Sequence, residues 1–246
     1  HQLHRRQRQM CIRDRLNGGG SHPNGNRAAT PEEWLAYARS LRAASLETSP
    51  SSLGVPIIWG TDAVHGHNNV RGATIFPHNI GLGAINDPQL IQEIAVATAR
   101  EVAATGIDWT FAPTLAQAKD YRWGRTYESY SDDPDLVEAY GRAMVEGIEG
   151  EGLAATAKHF IGDGGTTAGR DQGNTELSTA DLLALHGSGY IGAFDAAVDT
   201  VMATFNSVNG VKVHGSKSLL TDVLREQLGF DGMVISDWNG VGQVQG

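Results

Sequence analysis

Asp87-Pro-Gln-Leu-Ile-Gln-Glu-Ile-Ala-Val-Ala-Thr-Ala-Arg-Glu-Val-Ala-Ala-Thr-Gly-Ile-Asp-Trp-Thr-Phe111 holds one helix and the strand that follows it. Asp87 supplies an N-cap oxygen and Pro88 a first-turn residue whose missing N–H costs nothing there. Ile91, Ile94, Ala95 and Thr98 recur at helical spacing, and Gly106 marks the stop. Ile107 to Phe111 is then a short β-rich run closed by Pro113. The pattern returns downstream. Asp133-Pro134 opens a helix through Leu136, Val137, Tyr140 and Met144 towards Gly150, and Leu153 to Phe160 reads as its strand.

Upstream, Val55-Pro-Ile-Ile-Trp59 is an earlier buried strand. A helix starting near Pro31 precedes it, after a loop rich in Gly, Asn and Pro over residues 17–30. Beyond Phe160 come a helix over 181–198, a strand over 200–205, a helix over 218–228 ended by Gly229, and a last strand over 232–236. Strands alternating with helices imply parallel strands joined by outer helical crossovers. An open doubly wound sheet and a (β/α)₈ barrel both fit. A dinucleotide-binding open sheet needs Gly-x-Gly-x-x-Gly after its first strand, and Gly81-Leu-Gly83 has no third glycine and follows no such strand. In a barrel, functional groups collect at the strand C-termini, as the polar residues do here. The expected fold is α/β, a TIM-like barrel incomplete at both ends, since a full one takes about 250 residues.

At 40% hydrophobic and 19% charged residues, the 246-residue chain has an ordinary globular composition. No apolar run approaches the roughly 20 residues of a membrane-spanning helix. The net charge of −9 is unevenly spread: residues 1–15 contribute +4 through Arg5, Arg6, Arg8, Arg13 and Arg15 against Asp14, leaving −13 on the rest. An acidic body offers nucleic acid no footprint and suits a neutral ligand. Cys11 is the single cysteine, so neither a disulfide framework nor a cysteine metal site is available. Residues 1–15 lack helical or strand periodicity and any signal-peptide core. They read as a foreign or mis-framed segment, with 16–246 as the domain proper.

The strand ends carry the chemistry. Gly60-Thr-Asp62-Ala-Val-His65-Gly-His67-Asn-Asn69 follows the first buried strand, and Arg122-Trp-Gly-Arg125-Thr-Tyr-Glu128-Ser-Tyr130 follows the second. Lys158-His159-Phe-Ile-Gly-Asp163-Gly-Gly165, Phe205-Asn-Ser-Val-Asn-Gly210 and Ser236-Asp237-Trp238-Asn239 end the later ones. Singly, Asp237 fits a helix cap and Asp62 an Asx-turn. Together, carboxylates, cations and aromatics converge on one face. Fixed donors and acceptors hold sugar hydroxyls, and an aromatic covers the C–H face of the ring. A retaining glycosidase also needs an ionised carboxylate about 5–5.5 Å from a carboxylic acid. Cations such as Lys158 and Arg125 keep neighbouring carboxylates ionised.

These motifs, in this order, closely resemble glycoside hydrolase family 3, over about Leu16 to Gly246. Within it they are similar to β-glucosidases and exo-β-glucanases. The resemblance implies retaining hydrolysis of terminal β-D-glucosyl residues from β-glucosides or β-glucans through a glycosyl-aspartate, without cofactor or catalytic metal. It implies Asp237 as nucleophile, Asp62, Arg125, Lys158 and His159 as binders of the terminal glucosyl unit, and Trp238 beside the leaving-group sugar. Phe205 stands where relatives carry an aromatic. The general acid/base glutamate belongs to an α/β sandwich domain outside this chain, which completes the site, and Glu128 is read as orienting its basic neighbours. A periplasmic or secreted bacterial protein is expected.

Three other readings compete. A β-N-acetylhexosaminidase of the same family carries a Lys-His-Phe-Pro-Gly-His-Gly type motif, and Lys158-His-Phe-Ile-Gly-Asp-Gly-Gly165 lacks its proline and second histidine. A metal-dependent hydrolase draws on His65, His67 and His78, without a convincing further ligand set. A catalytically incompetent sugar-binding fragment is the third.

Overall fold

The computed structural model describes residues 14–17, 21–49 and 52–244. Cys11 and Arg5, Arg6, Arg8 and Arg13 lie outside them. Both Asp-Pro signals open helices. Asp87 Oδ1 accepts the Leu90 N–H at 3.1 Å, and Asp133 Oδ1 accepts that of Asp135 at 3.0 Å. Upstream, α1 (Pro31–Leu46) starts on a capping box, in which Thr30 Oγ1 accepts the Glu33 N–H and the Glu33 carboxylate accepts that of Thr30. The two capped helices are α2 (Pro88–Ala104) and α3 (Pro134–Glu149). Their buried stripes, Ile91, Ile94, Ala95, Thr98 and Val102 on α2, and Val137, Tyr140, Met144 and Ile148 on α3, face the core.

Six principal strands follow the chain: β1 (Asp14–Asn17), β2 (Ile58–Thr61), β3 (Trp109–Thr110), β4 (Thr156–Phe160), β5 (Thr200–Ala203) and β6 (Met233–Ser236). β1 takes in Asp14 and Arg15, the last two residues of the basic segment. The strands form two parallel three-stranded sheets, β1–β2–β3 and β4–β5–β6. Isolated parallel bridges, Trp109 to Ala154 and Thr114 to Lys158, join β3 to β4. The alternation read from the sequence therefore yields parallel strands. Barrel closure does not appear: among the described residues no sheet closes on itself, and only eight described residues follow β6.

Parallel strands covered on both faces are buried throughout, and every residue of β4 and β5 is. The inner face carries a separate small cluster, Trp109, Phe111, Met202 and Ile235. Its polar atoms are satisfied locally, the Trp109 indole N–H donating to Thr156 Oγ1 at 2.8 Å and to Thr200 Oγ1 at 3.2 Å. The helix expected over 181–198 divides at Gly187 into α4 (Thr179–His186) and α5 (Ser188–Asp195). Close backbone contact explains one glycine of α5: a Cβ at Gly192 would lie 2.1 Å from the Glu138 carbonyl oxygen of α3. The segment 218–227 winds as a π-helix and buries Leu219, Val223 and Leu224. Because the principal strands are parallel, their C-terminal ends share one rim.

Candidate active site

That rim holds a cavity of about 330 Å³ lined by Asp62, Arg125, Lys158, His159, Asp237 and Trp238, with Phe111, Met202, Phe205 and Ser236 between them. Its size falls in the range of small-molecule sites. All six residues singled out in the sequence meet there. Asp62 follows β2 directly, Asp237 follows β6, and Arg125 stands at the start of a single helical turn in the loop after β3. Lys158 and His159 are neighbours in β4, and adjacent strand residues ordinarily point to opposite faces. Here Lys158 pairs with Met202 and Phe160 with Ala203, so His159 is an extra, bulged residue. A bulge re-aims a side chain, and both residues reach the cavity. The Lys158–His159 and Phe160–Ile161 peptide bonds are cis.

A network of charges joins these side chains. Lys158 Nζ donates to Asp62 Oδ1 at 2.7 Å. Arg125 grips both oxygens of Glu128, Nε to Oε1 at 2.7 Å and Nη2 to Oε2 at 2.9 Å, the two-pronged geometry of strong pairs. Arg125 Nη2 also donates to His159 Nε2 at 3.2 Å, while His159 Nδ1 donates to Asp163 Oδ2 at 2.9 Å. Asp163 is buried, and Asp237 Oδ2 lies 3.7 Å from His159 Nε2. Trp238 is 72% exposed, an unusual setting for tryptophan, and stands at the cavity mouth.

The electrostatics follow from these contacts. Burial pushes the Asp62 carboxyl up, but Lys158, with His159 and Arg125, outweighs it and leaves Asp62 below the usual carboxylate range. Glu128 behaves alike: burial raises it, and the Arg125 guanidinium holds it low. Burial would lower Arg125, yet Glu128, Asp163 and Asp171 raise it above its ordinary value. An ionised Glu128 with both oxygens engaged is a poor proton donor to a leaving group and is placed to orient Arg125.

The three histidines of the metal-hydrolase reading do not gather. His67 is fully buried, bonds Thr105 Oγ1 at 3.1 Å and packs on Trp34, whereas His65 and His78 stack edge to face at 4.5 Å. Among the described residues no group of three or more His, Cys, Asp or Glu is placed to hold a metal ion. No helix among them is long and apolar enough to cross a membrane. The structure adds residues that sequence reasoning did not select. Asp163 stood in the Lys-His motif, four residues after the histidine it holds. Met202 reads as plain strand core, and only its inward register brings it to the cavity floor.

Known proteins are similar to this chain in sequence and in fold. Residues 9–245 match the model of the glycosyl hydrolase family 3 N terminal domain. A lysosomal beta glucosidase of Dictyostelium discoideum is 33% identical over 220 residues, 85% of this chain and 27% of the relative. The exo-1,3/1,4-beta-glucanase of a Pseudoalteromonas species superposes with a TM-score of 0.94 at 53% identity, covering 98% of this chain and 31% of that one. A mutant beta-glucosidase of Listeria innocua, solved in complex with laminaribiose, gives a TM-score of 0.81 at 27% identity over 96% of this chain and 36% of that one. The chain thus spans about a third or less of the length of these proteins. With the family model matched over nearly its full length, the chain belongs to glycosyl hydrolase family 3.

Proposed function

We propose that this chain supplies the sugar-holding and nucleophile-bearing part of a retaining enzyme that removes terminal β-D-glucosyl residues from β-glucosides or β-glucans. The observation that carries the reading is the convergence of Asp237 with two cation-bearing pairs, Lys158–Asp62 and Arg125–Glu128, around one cavity. Lys158, Arg125, His159 and Asp62 offer donors and acceptors to the hydroxyls of one glucosyl ring. Trp238 offers its face to the next sugar. Asp237 attacks the anomeric carbon, the bond to the leaving oxygen breaks, and a glycosyl-aspartate ester forms that water then hydrolyses. Proton delivery to the leaving oxygen comes from a carboxylic acid on a second domain. Residues 16–246 are read as consecutive staves of a (β/α)₈ barrel, supported by six parallel strands with one functional rim. A β-glucan substrate suits a periplasmic or secreted protein.

The complex of the Listeria innocua beta-glucosidase with laminaribiose supports a β-linked glucosyl ligand. The test is turnover of an aryl β-glucoside by the protein that carries this chain together with a family second domain. Asp237→Asn is expected to abolish turnover while leaving the circular dichroism spectrum unchanged. Substantial activity in that variant would remove Asp237 from the role.

A further inference from the structure

Ser236 and Ala203 are the last registered pair of β6 and β5. The next backbone N–H, that of Asp237, finds no strand partner on β5, and a part-buried amide needs an acceptor. It donates to His214 Nε2 at 3.3 Å. His214 sits on the helical turn Val213–Gly215, next to the short antiparallel pair Ser207–Val208 and Val211–Lys212. Two bonds tie that hairpin to the end of β5: the Val213 N–H donates to the Asn206 carbonyl at 3.2 Å, and Lys212 Nζ donates to the Phe205 carbonyl at 2.7 Å. The chain after β6 then folds around the imidazole. The Gly240 N–H donates to the Asp237 carbonyl at 2.9 Å, and a Cβ at Gly240 would lie 2.2 Å from His214 Nε2. Inside this turn the Trp238 N–H donates to Asp237 Oδ1 at 2.6 Å, which leaves Oδ2 on the His159 side.

We propose that His214 is a positioning residue for Asp237, fixing the backbone of the nucleophile and through it the aim of its carboxylate. The inference rests on the reading of Asp237 as nucleophile. Accepting an N–H requires a bare Nε2, so the ring carries its proton on Nδ1. Burial pushes His214 down, the Asp237 carboxylate pulls it up, and the balance lies below the ordinary 6.5. The charged groups facing it are Asp237 and Lys212, with the Phe205 ring alongside at 6.1 Å. A protonated Nε2 would oppose the Asp237 N–H, donor against donor.

Two variants separate positioning from mere packing. Gln at this position places an amide oxygen near the site of Nε2 and keeps the acceptor, whereas Leu fills the space without one. The probe is a 2-deoxy-2-fluoro-β-glucoside with a dinitrophenyl leaving group, which departs without protonation. In the protein that carries this chain together with a family second domain, His214→Leu is expected to slow trapping of Asp237 by about tenfold, the worth of one hydrogen bond. His214→Gln should stay within about twofold of the unsubstituted protein, and glucose affinity should be unchanged in both, because Asp62, Arg125 and Lys158 are untouched. Equal trapping rates in the Leu variant, or no rescue by Gln, overturn the inference while leaving the nucleophile in place. Label absent from Asp237 in the unsubstituted protein, second domain included, overturns the nucleophile reading and this inference with it. Should the Leu variant fail to fold, long-range ¹⁵N–¹H NMR of the unsubstituted protein decides. An Nδ1-protonated His214 supports the contact and an Nε2-protonated one refutes it.

Discussion

Lys158 and Asp62 meet at 2.7 Å across the rim, but they share the contact unequally: the lysine side chain is 5% exposed and the aspartate 48%. Left alone, Asp62 can be hydrated, whereas Lys158 would be a buried cation without a partner. Losing one member of a fully buried pair costs about 3–5 kcal/mol, and the exposure of Asp62 reduces that figure. Asp62→Asn is therefore expected to cost about 1–3 kcal/mol, and Lys158→Met clearly less. Urea unfolding midpoints compare them. Equal losses, or a larger one for Lys158→Met, would contradict the asymmetry.

The same pair gives a pH dependence with a definite sign. The folded-state pKa of Asp62 lies below its ordinary 3.8. Its contribution to stability is thus present above that value and is lost as pH falls through the lower, folded one. Unfolding curves of Asp62→Asn should lack this part of the acid slope. An unchanged acid slope in the variant would show that other carboxylates carry it.

Glu149, at the opposite ends of the strands, has the reverse sign. Burial pushes its carboxyl from 4.5 up to about 7, with the backbone N–H of Asp199 opposing. The folded chain binds more protons than the unfolded one in that window, so stability falls as pH rises from 4.5 to about 7. Glu149 Oε1 accepts both the Asp199 N–H at 2.8 Å and the Ala155 N–H at 3.3 Å, and a glutamine oxygen can keep both. Glu149→Gln should flatten the dependence and raise Tm at about pH 8 relative to the parent. A Tm lowered by the substitution at that pH would refute the assignment.

Helix packing behind the site gives a fourth prediction. A methyl group at Gly192 would press on the Glu138 carbonyl, whereas a Cβ at Gly124 would meet nothing within 4 Å. Gly192→Ala is expected to lose about 1–3 kcal/mol, the usual cost of overpacking. Gly124→Ala should be near neutral. Denaturant titration of the two variants separates the cases, and a neutral Gly192→Ala would mean that α5 shifts freely.

Local chemistry made much of this legible in the sequence. Asp87-Pro88 and Asp133-Pro134 announce helices because capping oxygens and first-turn prolines act within one turn. The rim residues are legible because parallel strands that end in polar motifs place those motifs together. Long-range features were less accessible. Whether the strands close depends on pairing between distant segments, and here the two sheets meet through isolated bridges and a few backbone hydrogen bonds between residues 108–115 and 154–158. The break at Gly187 divides a helix that periodicity within 181–198 reads as continuous, and the contact of Gly192 with α3 leaves no periodic signal either. His159 turning to the same cavity as Lys158 needs a bulge, which violates strand alternation. His214 lies 23 residues from the amide that it accepts and belongs to no motif.

Everything proposed for the site depends on Asp237 forming the bond to the sugar. Treatment with the dinitrophenyl 2-deoxy-2-fluoro-β-glucoside, followed by proteolysis and mass spectrometry, tests this directly. One fluoroglucosyl adduct is predicted, on the peptide containing Asp237 and absent after Asp237→Asn. An adduct on a peptide without Asp237, whether on Asp62, Glu128 or Asp163, would contradict it.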